Sequence, residues 1–420
     1  MTIHDRQRPL KICLLTYRGN PASGGQGVYV KHLSKALVEL GHDVDVLSGP
    51  PYPHLDGKVK LHKIAGLDLY NPDHLFKVEK ISDLARPLNM YEFLNMCTGS
   101  FPEPYTFGVR AYGYLRRRRE QYDIIHDNQC LAYGIGMIAR RGNPTIATIH
   151  HPITVDREEE YKAAGTLFQK LKVRRWYSFI KMQKKVARGL SRIITVSECA
   201  KNDLAREFAI ELSRFRVIPN GVNTEYFYPV KNPARPDNSL IVTNSADTPL
   251  KGLRYLLEAV AEVRAKRPVN LTVIGALKQN GTIEKLVAKL GLGGCVRFTG
   301  RIANEDFAGY YANATIALVP SLYEGFGMPA AEAMACGVPL ITTSGGALPE
   351  VVGAAGIVVE PADAAALAKA IMYLLDHKQM RDKYAEAGLR RVHSVFSWQR
   401  AAQDVLNVYR EAIDDHRRFS

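Results

Sequence analysis

No apolar run in this 420-residue sequence approaches the roughly 18 residues of a membrane-spanning helix. The N-terminal stretch holds one short apolar patch and no small-residue cleavage site, so no signal peptide is expected, and the patch reads as a first β-strand. Cysteine is scarce. Cys13, Cys97, Cys130, Cys199, Cys295 and Cys336 are scattered and never form a Cys-x-x-Cys pair, which argues against a zinc knuckle or a disulfide framework and fits a reducing cytoplasm. No segment is of low complexity. Acidic residues are missing from one place: Tyr161 to Ser197 holds ten Lys or Arg and no Asp or Glu. That block, with Arg116 to Arg119, accounts for much of a net charge of +14. Neither block carries a helix-turn-helix or an aromatic RNA-recognition signature, so nucleic acid is not an expected partner.

What is present is an alternation. The run KICLLT is followed by the glycines Gly24, Gly25 and Gly27, then by a helical pattern with Val30, Leu33, Ala36, Leu37 and Leu40 on one face, then by DVDVLSG. Strand, glycine turn, helix and strand open a doubly wound α/β unit. YDIIHDNQ, TIATIHH, RIITVS and FRVIPNG continue it. The aperiodic, proline-bearing stretch 221–238 reads as a linker between a domain over 1–220 and a second over 239–395. The second has strand-like runs LIVTN, NLTVIG, VRFTG, TIALVPS, PLITTS and GIVVEP, separated by helical patterns. Such alternation implies parallel sheets covered on both faces. From Asp363, a candidate N-cap, the tail is almost wholly helical.

Ligands of open parallel sheets bind beyond the carboxyl ends of the strands, so the loops there are the candidates. Gly24, Gly25 and Gly27 let backbone approach a phosphate at a helix N-terminus. In SLYEGFGMPAAEAMACG, Glu324 and Glu332 bracket a glycine-rich loop in front of a helix. Carboxylates accept from hydroxyls and free amides donate to phosphate, which together suit a ligand carrying both. Lys251, between a strand and a helix, can reach a diphosphate as a point charge. His126, His150 and His151 fall at strand ends, where a histidine can meet a sugar hydroxyl or carry a proton. Asp43 and Asp45 have the spacing of a metal site but lie inside a strand at a sheet edge, with no further carboxylate nearby, so no metal is expected.

These segments resemble the retaining GT-B glycosyltransferases, in the large family that includes sucrose-phosphate synthases and bacterial phosphatidylinositol mannosyltransferases. The likeness covers nearly the whole chain and is most specific from Glu324 to Gly337, with GGQGVYVKHLSKALVELGHDV and VIPNGVN in support. It implies two Rossmann-like domains with parallel sheets facing across a cleft, and metal-independent transfer from a UDP- or GDP-sugar to a hydroxyl. It also implies that Glu332 holds the ribose, that Glu324 lies over the sugar ring, and that the amides of Gly325, Phe326, Gly327 and Met328 meet sugar and phosphate. Lys251 and Gly25 take the diphosphate, His150 stands near the reacting sugar, and Arg301 and Ile302 meet the base. An arginine common five residues before the lysine is here Ala246, so a bidentate phosphate clamp is missing or comes from elsewhere.

The acceptor side is expected in the first domain, with His126 and His151 facing it. In 161–197, Leu167, Leu171, Trp176, Phe179, Ile180, Ala187 and Leu190 can form an apolar stripe beside Lys172, Arg174, Arg175, Lys184 and Lys185. A basic amphipathic helix of this kind suits the inner, anionic surface of a membrane, and hence a lipid acceptor. A soluble sugar or sugar phosphate is the alternative acceptor, and a nucleotide-sugar epimerase on the same fold the alternative chemistry. Trp398, Ala401, Val405, Val408 and Tyr409 recur at helical spacing, and relatives fold this last helix, 397–416, back onto the first domain.

Overall fold

Short apolar-rich segments of three to six residues become strands here, most of them buried on both faces, because a parallel strand so placed needs no polar alternation. The computed structural model describes residues 8–19, 25–70, 76–78, 80–231, 233, 235–244 and 248–419, which divide into two compact units. The first takes the chain through Val196, then Lys201–Ile218, and the C-terminal segment from Trp398. The second takes Pro219–Ser397 with the short piece Ser197–Ala200.

Unit one holds strands β1 (Lys11–Thr16), β2 (Asp43–Ser48), β3 (Lys60–Lys63), β4 (Ile124–Asn128), β5 (Thr145–Ile149), β6 (Ile193–Thr195) and β7 (Phe215–Val217). Its helices are α1 (Gly25–Glu39), α2 (Pro87–Cys97), α3 (Glu103–Leu115), α4 (Tyr133–Arg140), α5 (Thr154–Ala163), α6 (Leu167–Trp176), α7 (Ile180–Ala187) and α8 (Glu198–Phe208). The strands pair in parallel in the order β3-β2-β1-β4-β5-β6-β7, so the order reverses between β1 and β4. β3 was not apparent from sequence, and it makes β2 an interior strand. Asp45 is therefore no edge carboxylate: its Oδ2 takes His62 Nε2 and the Tyr122 hydroxyl, each at 2.7 Å.

Unit two holds β8 (Ser239–Thr243), β9 (Asn270–Ile274), β10 (Val296–Phe298), β11 (Ile316–Val319), β12 (Leu340–Thr343) and β13 (Gly356–Val359). Between and after them come α9 (Leu253–Arg264), α10 (Thr282–Lys289), α11 (Phe307–Ala312), α12 (Met328–Ala335), α13 (Leu348–Val352), α14 (Ala364–Asp376) and α15 (Lys378–Val395). The parallel order is β10-β9-β8-β11-β12-β13, reversing between β8 and β11. The stretch 221–238 is no free linker, because Phe227 is buried with its ring 5.1 Å from Phe307. Asp363 caps α14 by accepting from the Ala366 amide at 2.8 Å.

The last helix, α16 (Trp398–Phe419), returns to unit one and fills the α1 side of its sheet. Its buried Val405, Leu406, Tyr409 and Ile413 join Leu33, Leu37 and Ile146 in one core. The opposite core is built from Phe107, Ile135, Ile180 and Phe208.

Candidate active site

The order reversal of each sheet opens a crevice at the strand ends, since the helices on either side leave in opposite directions. In unit two that crevice lies between the loops after β8 and β11, and these two loops carry Lys251 and Glu324. The Leu322 amide donates to the Leu250 carbonyl at 2.7 Å, tying one loop to the other. Gly252 permits this approach: its φ is +66°, and a Cβ there would lie 1.9 Å from the Pro320 carbonyl oxygen. Lys251 Nζ then donates to Glu324 Oε1 at 2.8 Å, and the Ser321 hydroxyl donates to the same oxygen at 2.8 Å.

Gly327, at φ +101°, turns the chain into α12 where a Cβ would come within 2.7 Å of Leu348 Cδ2. No side chain caps this helix, Pro329 has no N–H, and the Ala330 amide turns back to the Gly327 carbonyl at 3.0 Å, which leaves the Met328 amide as the uncapped donor of the first turn. Glu332 lies in the second turn, not at the helix start, so attraction to the helix dipole does not explain it. Burial pushes its carboxyl up to about 7, Lys251 opposing and Glu324 adding to the shift. Phe326 packs edge-on against Phe396 at 5.6 Å, holding the loop from below. Arg301 is exposed just past Gly300, whose amide bonds the Gly275 carbonyl at 3.1 Å, and Ile302 is half-buried beside it.

Unit one supplies a second set at its own order reversal, from the loops after β1, β4 and β5. Gly24 and Ala246 lie outside the described residues. Gly25 opens α1, and a Cβ there would meet nothing within 4 Å. Asn128 donates to the Gln26 carbonyl at 3.1 Å, which turns its Oδ1 toward His150 Nε2 at 2.8 Å. The ring stands edge-on to Tyr29 at 4.8 Å. Burial, with His151 adding to it, pushes the His150 pKa down to about 3. The imidazole is thus neutral, and with Nε2–H given to Asn128, Nδ1 remains an acceptor. His151 Nε2 pairs with Asp156 Oδ2 at 2.9 Å.

His126 is corrected. It lies inside β4 and not past its end, is 1% exposed, and has both ring nitrogens occupied, by Tyr409 and Thr148 at 2.7 Å each. It is a core residue and faces no acceptor. The basic stretch is corrected in part, because its apolar stripe is broken at Tyr177–Phe179. Phe179, Ile180, Ala187 and Leu190 belong to the core. Arg175 donates to Asn95 and Thr98, and Lys184 pairs with Glu207 at 3.6 Å. Lys185 lies 5.8 Å over the Tyr133 ring. Within this stretch α6 is the part that turns apolar side chains outward, Leu167, Phe168 and Leu171 being 75%, 67% and 52% exposed, with Lys172 and Arg174 on the same helix.

Residues 227–391 match the family described as "Glycosyl transferases group 1", and residues 23–226 match "Glycosyltransferase Family 4". The chain is 45% identical to the MMP alpha-(1->4)-mannosyltransferase of Mycolicibacterium hassiacum, over 96% of this chain and 98% of that protein. It is 25% identical to a D-inositol 3-phosphate glycosyltransferase of Streptomyces scabiei, over 98% and 94% respectively. Among solved structures, the sucrose-phosphate synthase of Thermosynechococcus elongatus superposes with a TM-score of 0.73 at 25% identity, over 97% of this chain and all of that one.

Proposed function

The chain belongs to the group 1 glycosyl transferases of GT-B fold, and from that premise we propose that it is a retaining, metal-independent α-mannosyltransferase. Its donor is a nucleoside diphosphate mannose, GDP- or UDP-linked, and its acceptor a sugar hydroxyl. One observation carries this: the 45% identity to an alpha-(1->4)-mannosyltransferase along almost the whole of both chains. An α-linked donor that yields an α-linked product keeps its configuration.

Glu332 takes the ribose hydroxyls. Lys251, now on Glu324, is the cation for the donor's diphosphate, and the amides of Gly325 to Met328 complete its reception. Glu324 faces the sugar. In unit one, the Gly25 amide is a donor for phosphate and His150 Nδ1 an acceptor for a hydroxyl. Arg301 and Ile302 meet the base through their backbone. The acceptor oxygen bonds the anomeric carbon on the face from which the diphosphate departs, and its proton passes to the leaving phosphate oxygen. Lysine and amides stabilise the charge that builds there, the work a divalent ion does in other transferases.

With purified protein, GDP- or UDP-mannose and a short α-(1→4)-linked mannoside, NMR should show a new α-(1→4) bond. Since a catalytic metal supplies several kcal/mol, EDTA should change the rate by less than about tenfold. A β-linked product overturns retention, and a larger loss restored by magnesium or manganese overturns metal independence.

The exposed apolar residues of α6 favour a second, compatible property, a peripheral membrane contact. No helix among the described residues is long and apolar enough to cross a membrane. Each cation near an anionic surface is worth about 1 kcal/mol, so α6 should support reversible binding only. The protein should pellet with phosphatidylglycerol vesicles at low salt, stay off phosphatidylcholine, and lose pelleting when Leu167, Phe168 and Leu171 become Ser. Wild type left in the supernatant removes the membrane, and with it a lipid acceptor.

A further inference from the structure

Strands β4 and β5 stay in register as far as Asn128 and Thr148, and beyond them the loop after β4 grips the loop after β5. It does so through side chains. Gln129 Oε1 accepts from the His150 amide at 2.7 Å, and Gln129 Nε2 donates to the His151 carbonyl at 3.2 Å. One buried side-chain amide thus brackets the His150–His151 dipeptide, with its oxygen and its nitrogen each engaged. The preceding residue, Asn128, accepts from Nε2 of the same histidine at 2.8 Å. Two consecutive residues therefore hold His150, one by its backbone and one by its ring.

The backbone is strained to achieve this. Gln129 sits at φ +56° and Leu131 at φ +51°, in the left-handed region that residues with a Cβ seldom enter. A turn by itself would be met by glycine, which takes such a φ without strain, so a glutamine there serves for its side chain. Residues so strained persist only where their surroundings over-determine them. Here Asp127, wholly buried, accepts from the Leu131 amide on Oδ2 at 2.7 Å. Gln183, also buried, donates from Nε2 to the Gln129 and Cys130 carbonyls at 3.2 and 3.3 Å. Burial pushes the Asp127 carboxyl up to about 7, with the Leu131 and Cys130 amides opposing. The carboxyl sits in so unfavourable a place because the inward-turned amides need an acceptor. The strain, the buried carboxyl and the two glutamines all converge on residue 129.

We propose that Gln129 is a positioning residue for His150: it fixes the backbone that carries the ring while Asn128 fixes the ring, so that Nδ1 keeps one direction toward a sugar hydroxyl during transfer. Asp127 and Gln183 hold Gln129 in turn. This rests on the role of His150 proposed above and adds the residues that aim it. A reacting group displaced by about 1 Å can lose about a hundredfold in rate, which is what such a frame prevents.

Gln129→Met keeps nearly the same length and removes both bonds. In the full chain, with GDP- or UDP-mannose and a short α-(1→4)-linked mannoside, its kcat should fall about tenfold to a hundredfold while nucleotide Kd is unchanged. The ring reports independently of turnover. Long-range 1H–15N spectra of histidine-labelled wild type should show His150, identified by its absence in His150→Gln, as a single neutral Nε2–H form. In Gln129→Met those signals should shift or split, and the His150 amide should exchange faster with solvent. Asp127→Asn, which keeps an acceptor for the Leu131 amide, should lose far less in both readouts than Asp127→Ala. Unmoved His150 signals in Gln129→Met overturn the proposal whatever the rate does, and so does an unchanged kcat or a nucleotide Kd that weakens in step with it. Should Gln129→Met fail to fold, Gln183→Met, which frees only the two loop carbonyls, is read in the same way. If His150→Gln transfers at the wild-type rate while the Gln129→Met signals move, the role of His150 in transfer falls and Gln129 remains the holder of its ring.

Discussion

Replacing Lys251 by Ala should lower kcat/KM for sugar transfer by about a hundredfold to a thousandfold, the range seen when one donor to a developing anion is removed. Lys251 is the side-chain cation at the β8–β11 crevice whose nitrogen is placed by the two loops themselves, 2.8 Å from Glu324. Its loss has two consequences. The departing diphosphate loses a charge partner, and Glu324 Oε1 keeps only the Ser321 hydroxyl. A charge-assisted hydrogen bond is worth about 1.5–3 kcal/mol, so nucleotide affinity alone should fall by roughly tenfold to a hundredfold.

The same substitution moves a titration. Lys251 lowers the Glu332 pKa and burial raises it, leaving the carboxyl at about 7. In the proposed role ionised Glu332 accepts two ribose hydroxyls, whereas the protonated form must give one of its sites to a proton. Nucleotide binding should therefore be strongest above pH 7 and weaken as pH falls through that value. Without Lys251 the midpoint should move upward, and in Glu332→Gln the component near pH 7 should be lost, leaving that of the nucleotide's own phosphate. Calorimetry across pH 5.5 to 8.5 decides this. Unchanged nucleotide affinity in both variants would mean that the donor binds elsewhere.

Ending the chain at Val395 should leave it insoluble or unfolded. Helix α16 buries Trp398, Ala401, Ala402, Val405, Leu406, Val408, Tyr409, Ala412 and Ile413. At about 1.5–3 kcal/mol for each large apolar side chain buried, this matches the 5–15 kcal/mol that holds a typical domain together. Its loss would also bare the face of α1 that stacks His32 on Trp398 at 5.4 Å. A gentler variant tests the same packing. Tyr409→Phe strips His126 Nδ1 of its partner, and a buried polar atom left unsatisfied costs about 1–3 kcal/mol. Its Tm should drop by several degrees while nucleotide affinity holds. A truncated chain that melts like the full one would make α16 an appendage.

How much of this was legible in the sequence depended on distance along the chain. The six strands of unit two, the helix α1 and the cap at Asp363 are local matters. Apolar runs, helical spacing and capping side chains act within a few residues, so the sequence alone determined them. The Glu324–Glu332 segment was legible for the same reason, since one loop and one helix carry it. Lys251 could be named, but its pairing with Glu324 waited on β8 and β11 being neighbours.

Other features came only with tertiary structure. His126 and His150 stand in near-identical sequence settings. The first pairs in register with Ile146 inside the sheet, while the second falls one residue past the end of β5, and that single step separates a core group from one in the loop at the strand end. The basic stretch read as one amphipathic helix because helical spacing does not report a break between α6 and α7, nor which half a core will cover. The ion pairs that Arg18 makes with Asp68 and Glu103, and Arg110 with Glu92, were invisible. Arg18, Asp68, Glu92, Glu103 and Arg110 come from four separate places along the chain, each unremarked where it stands. Short-range spacing encodes which face of an element is buried. Which loops meet at the strand ends depends on strand order, and strand order is decided by the packing of the whole sheet.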